Sequence, residues 1–448
     1  KFKRKIKSNE TAIKVINALI GSVGIRLLGM SLGFLVGVQL ARGLGTDGYG
    51  LYSLVMSIIA LFTVFTQFGI PQLTIREVSK AKVKKNWGAI KGILIWSNYV
   101  ILIMFLIILL ALFTLKWLNL KVVSDLEVFH TFLYGLMFVP LLAVVQIRSC
   151  ALMGLQKIVL GQISDVVLRP LFFSCSLFVC FQILSFDASA SNAMFLQLFS
   201  IALVFFIALI LLKKNMPVDL SKIKPNISAR KWLSSSVPMA FTEGMRVLQG
   251  HLAILILGFF LSLNDIGIFK VAVSISVLIA MPVSLINTVS GSIVSDLYTK
   301  KEFGQLAKIS SAMSILMVLG VLALVIPFVI YGHEIIVWSF GSGYDQSVVI
   351  LLIIGFGHLI SAFFGINAIL LNMTKHEKRV TRAILYSLVV NIVLAIVLIL
   401  NFGLIGAAVA NAVSLVIWNV LMWYDVKKLL KINSMAWIIG NDDVRAKN

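Results

Sequence analysis

Long runs of apolar residues alternate with short polar stretches along almost the whole chain. Most of these runs reach the roughly 20 residues that an α-helix needs to cross the hydrocarbon core of a bilayer. The pattern therefore predicts an all-α polytopic membrane protein with about twelve transmembrane helices. The spans predicted from hydropathy are residues 14–42, 47–68, 87–116, 122–150, 158–184, 189–212, 231–261, 265–294, 303–331, 344–372, 379–401 and 404–429.

The composition agrees with this fold class and excludes a water-soluble one. Of the 448 residues, 60% are hydrophobic and 13% are charged, whereas a soluble domain carries about 25% charged residues. The predicted helices use up most of the chain, so we expect no separate soluble domain.

Basic residues predict the orientation of the helices. Of the 39 Lys and Arg residues, 32 fall on one side of the predicted membrane, including Arg148, while only Arg42, Lys116, Lys121 and Lys270 fall on the other. The positive-inside rule places the basic side, with both chain ends, in the cytoplasm. The net charge of +21 is thus mainly a topology signal, and because it is divided among loops we expect no nucleic-acid partner.

An internal repeat divides the chain into two parts. Residues 44–52 (LGTDGYGLY) align with residues 261–269 (LSLNDIGIF) at an offset of 217. We expect two pseudo-symmetric halves of six helices each, residues 1–220 and 221–448. An even number of helices gives the halves the same orientation, as in transporters that rock two halves about a central site. Alternating access is the mechanism that this plan predicts.

Arg26 lies near the middle of the first predicted span, where a charge is costly unless it faces protein or a water-filled cleft. On a helical wheel Gly33 and Gly37 lie within about 20° of Arg26, and Gly29 within about 60°. Small residues at this spacing form close-packing faces. We therefore expect Arg26 to point toward protein or a cleft; the alternative is a buried strut satisfied by backbone carbonyls.

The seventh predicted span carries a polar stripe that includes Glu243 and Arg246. The repeat offset makes Arg26 and Glu243 equivalent, so two guanidiniums, of Arg26 and Arg246, could meet at a central cavity. Guanidiniums bind phosphate oxygens in bidentate geometry and stay charged at any pH. This cavity would favour an anion, either a small one or the pyrophosphate head group of a lipid. The alternative is that Glu243 and Arg246 only neutralise each other, since they lie three residues apart.

Three further ionisable residues lie within predicted spans. Asp165 and Arg169 are four residues apart in the fifth span, next to Pro170. They are candidates for the cavity or for ion coupling, and the alternative is a self-satisfied ion pair at a kink. His358, in the tenth span, could titrate near neutral pH, or it could be a hydrogen-bonded packing residue.

No sequence motif of an enzyme is present. The chain contains no Walker A sequence for ATP and no H-E-x-x-H pair for zinc, and the predicted loops on the less basic side are too short to form a catalytic site. We therefore expect a protein without catalytic residues, metal or cofactor.

The first 80 residues carry motifs of a known family. Residues 40–52 (LARGLGTDGYGLY), 68–71 (FGIP) and 75–77 (IRE) resemble the opening of the bacterial polysaccharide-biosynthesis flippases. These proteins move O-antigen or capsule repeat units and belong to the multidrug/oligosaccharidyl-lipid/polysaccharide (MOP) superfamily. Chain length and the predicted helix count fit the same family.

The resemblance implies a substrate and a location. The substrate would be an undecaprenyl-pyrophosphate-linked oligosaccharide, and the protein would lie in the bacterial cytoplasmic membrane. Membrane lipids, a polymerase and other glycan-assembly membrane proteins would be its partners. Relatives use cavity arginines, which Arg26 matches in type and helix and Arg246 only approximately. Coupling to H⁺, Na⁺ or the membrane potential stays open.

Two other functions are compatible with a helical membrane protein of this kind. A cation-coupled multidrug exporter of the same superfamily would present carboxylates to cationic drugs, and the excess of arginine within the spans argues against it. A membrane scaffold for glycosyltransferases would tolerate replacement of Arg26 and Arg246 by Ala.

Overall fold

The computed structural model describes residues 2–117, 125–216 and 223–437, with their side chains except those of residues 2–20, 115–117 and 292. Every regular element of these residues is helical, which confirms the predicted all-α class. The helices are α1 (Phe2–Gln67), α2 (Ile70–Val83), α3 (Trp87–Trp117), α4 (Leu126–Gly154), α5 (Ile158–Gln162), α6 (Arg169–Leu177), α7 (Ala190–Asn215), α8 (Ala229–Phe260), α9 (Leu263–Ile279), α10 (Met281–Thr299), α11 (Phe303–Phe340), α12 (Ser347–Phe364), α13 (Asn367–Met373) and α14 (Glu377–Leu430). Two π-helical segments, Ile163–Leu168 and Phe178–Ile183, flank α6, and Ser342–Tyr344 form a 3₁₀ turn.

Nine helices of the described residues are long and apolar enough to cross a membrane, or ten if the bent pair α9 and α10 counts as one span. The protein is therefore a multi-pass membrane protein, while the total of twelve spans stays a prediction. Two helices, α1 with 66 residues and α14 with 54, each cover two predicted spans. Each turns at a glycine with positive φ, Gly45 in α1 (66°) and Gly403 in α14 (56°). Glycine has no Cβ and adopts such angles without strain.

Helix α2 is an element that hydropathy did not predict. Its sequence is polar on average, with Lys80 and Lys82 in its last turn. A hydropathy search for membrane spans therefore does not detect it. The helix is amphipathic, and its apolar residues, including Ile70 and Leu73, are fully buried in a hydrophobic cluster with α3 and α4. Pro71 fits its first turn, where the missing N–H would have no helical partner.

Two helix ends differ from the predicted ones. The tenth predicted span, residues 344–372, is divided at Gly365, which has φ of 78° and separates α12 from α13. Helix α11 continues past the predicted end at residue 331, through a kink at Tyr331, to Phe340. Apolar residues lie on both sides of Gly365, so hydropathy carries no signal of that division. After Tyr331, the polar residues His333 and Glu334 end the apolar run although the helix continues.

The chain forms two compact units, Lys1–His251 and Leu252–Asn448. The predicted halves, 1–220 and 221–448, stay a prediction, because residues 217–222 around their boundary lie outside the described residues, as does Lys121. In the first unit, the chain that leads into α8 lies on the start of α3. The Asn226 amide donates to the Gly88 carbonyl at 2.9 Å.

The residues that follow α14 are buried in the second unit, although they form no helix. Ile432, Ser434 and Ala436 are almost inaccessible to solvent. Ser314 of α11 donates to the Ser434 carbonyl at 2.6 Å, and the Ser434 hydroxyl donates to Asn367 Oδ1 at 2.6 Å. This segment therefore joins α11 to the start of α13.

In the first unit, α1 approaches the backbone of the π-helical segment Ile163–Leu168. Pro170 has no N–H to donate to the carbonyl of Val166, four residues earlier. A Cβ added to Gly29 would lie 2.6 Å from that carbonyl oxygen and would also clash with the Val166 side chain. Glycine at position 29 thus lets the helix approach a carbonyl that the proline leaves without its α-helical partner.

Replacement of Gly29 by Ala is expected to destabilise the protein by about 1–3 kcal/mol, the usual cost of overpacking. Thermal unfolding of the purified protein in detergent measures the effect. Gly33→Ala is the matched control, because nothing lies within 4 Å of the Cβ position at Gly33. Equal melting temperatures for the two variants would contradict the proposed close contact.

Candidate functional site

Arg26 lies in α1, where it is partly buried and interacts with the rest of the protein. Gly33, about 20° from Arg26 on the helical wheel, faces open space, whereas Gly29 is packed against Val166. The predicted close-packing face of Gly29, Gly33 and Gly37 is therefore wrong at Gly33. It was inferred from residue size alone, and spacing does not show which side of a helix has a neighbour.

Glu243 and Arg246 form a bidentate ion pair on α8. Arg246 Nε donates to Glu243 Oε2 at 3.1 Å, and Arg246 Nη2 donates to Glu243 Oε1. The Arg246 side chain is nonetheless 64% exposed, and that of Glu243 is 29% exposed. Because ionised groups within a span avoid lipid, this pair is placed to face water or a ligand. The two charges are thus close enough to neutralise each other, and the guanidinium of Arg246 is still accessible.

Asp165 and Arg169 also form an ion pair, at the junction of the π-helical segment and α6. Arg169 Nε lies 3.0 Å from Asp165 Oδ1, but the N–H is poorly aligned, since Oδ1 has no hydrogen-bond partner among the described residues. Asp165 Oδ2 accepts from Gln146 Nε2 at 3.3 Å, and Gln146 accepts from Gln67. A polar chain thus runs from the end of α1 through α4 to Asp165.

Gln67 and Gln146 were not among the predicted site residues. The only sequence signal for each is a polar glutamine within a run of apolar residues. A hydropathy average over a whole span hides one such residue. Their role becomes visible only when α1, α4 and the π-helical segment are brought together. π-helical turns within α-helices occur frequently at functional sites, so this cluster is a second candidate site of the first unit.

His358 belongs to the second unit, in α12. It is partly buried next to Gly357, where a Cβ would lie 3.0 Å from the Cα of Ala412 in α14. His358 therefore flanks a tight contact between two helices. In the described part of the chain, no group of three His, Cys, Asp or Glu side chains could hold a metal ion.

Arg148, which was counted among the charges of the basic side, is buried within a helix and does not lie in a loop. It lies inside α4, six residues before the end at Gly154, and is only 7% exposed. Its Nη2 donates to Oδ1 of Asn98 in α3 at 2.9 Å. A charge count assigns an arginine near a helix end to the adjoining loop, but its long side chain can be buried among neighbouring helices.

The part of the sequence that contains Arg26, Glu243 and Arg246 matches a known protein family. Residues 17–291 match the model of a family described as polysaccharide biosynthesis protein. A probable low-salt glycan biosynthesis flippase of Haloferax volcanii is 25% identical over 185 residues, which are 41% of this chain and 39% of that protein. The match thus spans less than half the length of this curated relative.

Solved structures show the same fold at low sequence identity. A multidrug resistance transporter of the MATE family, a member of the MOP superfamily in an inward-facing conformation, superimposes with a TM-score of 0.74 at 12% identity, over 91% of this chain and 98% of that chain. A lipid II flippase in an inward closed conformation gives a TM-score of 0.70 at 15% identity, over 92% of this chain and 87% of that chain. These likenesses establish a MOP-type transporter fold.

Proposed function

This chain belongs to the polysaccharide biosynthesis protein family, and we propose that it is a flippase that moves a lipid-linked oligosaccharide across a membrane. The observation that carries the proposal is the family match over residues 17–291, which contains Arg26, Glu243 and Arg246. The likeness to a glycan biosynthesis flippase supports the class of substrate. Transport, and not catalysis, is the activity that follows.

The specific substrate that we propose is an undecaprenyl-pyrophosphate-linked repeat unit of O-antigen, capsule or a similar glycan. The protein would act in the bacterial cytoplasmic membrane, with its basic side and both termini in the cytoplasm. A polymerase and other glycan-assembly proteins would receive the translocated unit. The predicted division of the basic residues, with 32 on one side of the membrane and four on the other, supports the orientation.

The mechanism assigns the pyrophosphate to Arg26 and Arg246. Arg246 offers an accessible guanidinium, and the same N–H groups that hold the Glu243 carboxylate fit two phosphate oxygens. Glu243 competes for Arg246 when no substrate is bound, which releases the product and resets the site. The sugars occupy the polar cleft, the polyprenyl tail stays in lipid, and rocking of the two halves exposes the head group on the other side.

Energy for directional transport would come from H⁺, Na⁺ or the membrane potential. Moving one charge through 100 mV is worth about 2.3 kcal/mol. Asp165, with Arg169 and Gln146 beside it, is the candidate for ion coupling in the first unit, because one carboxylate oxygen lacks an aligned hydrogen bond. His358 is the candidate in the second unit.

A bacterial strain that lacks its own repeat-unit flippase tests this function. We expect the wild-type protein to restore surface glycan, measured by gel electrophoresis of extracted polysaccharide, while an empty vector does not. Strains with different repeat units should be compared, because the sugars are not specified. Failure in every strain, with the protein present in the membrane, would contradict the proposal.

Glu243→Gln separates the flippase from a drug exporter of the same fold. As a flippase, the variant is expected to retain at least about half of glycan export, because Arg246 keeps its charge for the pyrophosphate. A drug exporter would need the carboxylate for a cationic substrate and would lose drug resistance. Glycan export and minimum inhibitory concentrations in the same strain measure both, and a wild-type drug resistance that disappears in the variant would contradict the flippase and favour the exporter.

A further inference from the structure

Arg148 is a buried charge with too few partners. It is 7% exposed, and its single hydrogen bond among the described residues goes from Nη2 to Asn98 Oδ1. Nη1 has no hydrogen-bond partner among those residues, and no carboxylate there lies within 4.0 Å of the guanidinium. A buried charge without an opposite charge is costly and marks a functional site more often than a structural one.

The contact with Arg148 fixes the orientation of the Asn98 amide. A guanidinium only donates hydrogen bonds, so Asn98 must turn its carbonyl oxygen toward Arg148. The Nδ2 group, with two N–H donors, then points away from Arg148. Asn98 is exposed although it lies inside the apolar span Trp87–Thr114. A group that binds Asn98 from outside must therefore supply acceptor oxygens, and the positive charge behind the amide favours an anion.

The surface beyond Asn98 is aliphatic. Leu102, Leu106 and Leu109 are exposed and lie within about 80° of Asn98 on the wheel of α3, from about 6 to 17 Å farther along the helix. A neutral amide donor with a buried positive charge behind it, at one end of an apolar stripe, matches a molecule with an anionic head and a long apolar tail. Free inorganic pyrophosphate would leave the stripe uncovered.

We propose that Asn98, held by Arg148, contacts the diphosphate of an isoprenoid-linked carrier lipid whose tail lies along Leu102, Leu106 and Leu109. Asn98 is the contact residue, and Arg148 is a positioning residue that also supplies the charge. The site rests on the proposed function and adds one contact for the carrier lipid to those proposed for Arg26 and Arg246.

Asn98→Asp distinguishes this site from a structural contact. The aspartate accepts from Arg148 and completes a buried ion pair, so a structural role is preserved. It removes both outward donors and neutralises the charge that attracts the anion. Binding of farnesyl diphosphate to the purified protein in detergent should weaken at least tenfold, while the melting temperature should stay at or above that of wild type.

Asn86→Asp is the matched control. Asn86 Oδ1 accepts from the Ala89 amide at 3.0 Å near the start of the same helix, which an aspartate does equally well. It adds the same charge away from Arg148 and should leave binding unchanged. For wild type, farnesol, inorganic pyrophosphate and phosphatidylglycerol should each bind more weakly than farnesyl diphosphate, because each lacks one part of the match.

Several results would overturn the inference. Equal affinity of wild type and Asn98→Asp for farnesyl diphosphate would remove Asn98 from the site and leave it only a structural partner of Arg148. A lower melting temperature of Asn98→Asp would mean that the aspartate does not pair with Arg148 as described. Glycan export with unchanged binding in Asn98→Asp would overturn this site alone. Binding that depends on Asn98, without glycan export in any strain, would overturn the proposed function alone.

Discussion

Arg246→Ala is expected to reduce glycan export at least about tenfold, and Arg26→Ala should do the same. A hydrogen bond to a charged group contributes about 1.5–3 kcal/mol, and about 1.4 kcal/mol corresponds to a factor of ten. The Arg246 side chain is 64% exposed on α8, so its loss removes a ligand contact and little packing. Surface glycan of the complemented strain, at matched protein level, is the measurement.

Arg230→Ala is the control for the loss of one positive charge. Arg230 is exposed in the first turn of the same helix, so its replacement should leave export unchanged. Restoration of glycan by all variants would leave the flippase function in place but would exclude Arg26 and Arg246 as the site. The same result is also what the scaffold alternative predicts, since a scaffold for glycosyltransferases would tolerate both replacements.

Gly365→Ala is expected to destabilise the protein by about 3 kcal/mol or more. The backbone at Gly365 has φ of 78° and ψ of −144°, a region near the one that is essentially restricted to glycine and costs other residues about 1–3 kcal/mol. A Cβ would also clash with Ser314 Oγ and lie 2.9 Å from the Ser434 carbonyl oxygen, which adds the cost of overpacking.

Thermal unfolding in detergent measures this effect, and Gly304→Ala in α11 is its control. Gly304 has ordinary helical angles and no atom within 4 Å of its Cβ position. A melting temperature of Gly365→Ala equal to that of Gly304→Ala would mean that the segment around Ser434 does not pack between α11 and the start of α13 as described.

The fold class was predictable from sequence because its causes are local. A span needs only a long apolar run, and the turns at Gly45 and Gly403 lie between predicted spans, as expected. The resemblance to the polysaccharide-biosynthesis family is confirmed by the family match, and the fold is shared with the similar solved structures.

Other features depend on packing and carry no local signal. Helix α2 is too polar for a span, and its apolar face is defined only by the neighbours that cover it. Ser434 follows the last apolar run, and nothing in the sequence indicates that it binds between α11 and α13.

The candidate site was predictable as a set of residue types. A charge in a span is conspicuous, which singled out Arg26, Glu243, Arg246, Asp165 and Arg169. Their partners could not be deduced, except for those three or four residues apart on one helix. Gln146 lies on another helix from Asp165, and so does Asn98 from Arg148. The role of Arg26 and Arg246 in binding stays a prediction.

The most direct test of the central claim is glycan translocation by the purified protein in liposomes. A fluorescent polyprenyl-diphosphate oligosaccharide is placed in both leaflets, and an impermeant glycosidase reports the fraction that reaches the outer leaflet over time. We predict that wild-type protein makes the whole pool accessible and that the Arg26→Ala, Arg246→Ala double variant slows this strongly. An inner pool that stays protected with wild-type protein, as in protein-free liposomes, would contradict the claim that this chain is a lipid-linked glycan flippase.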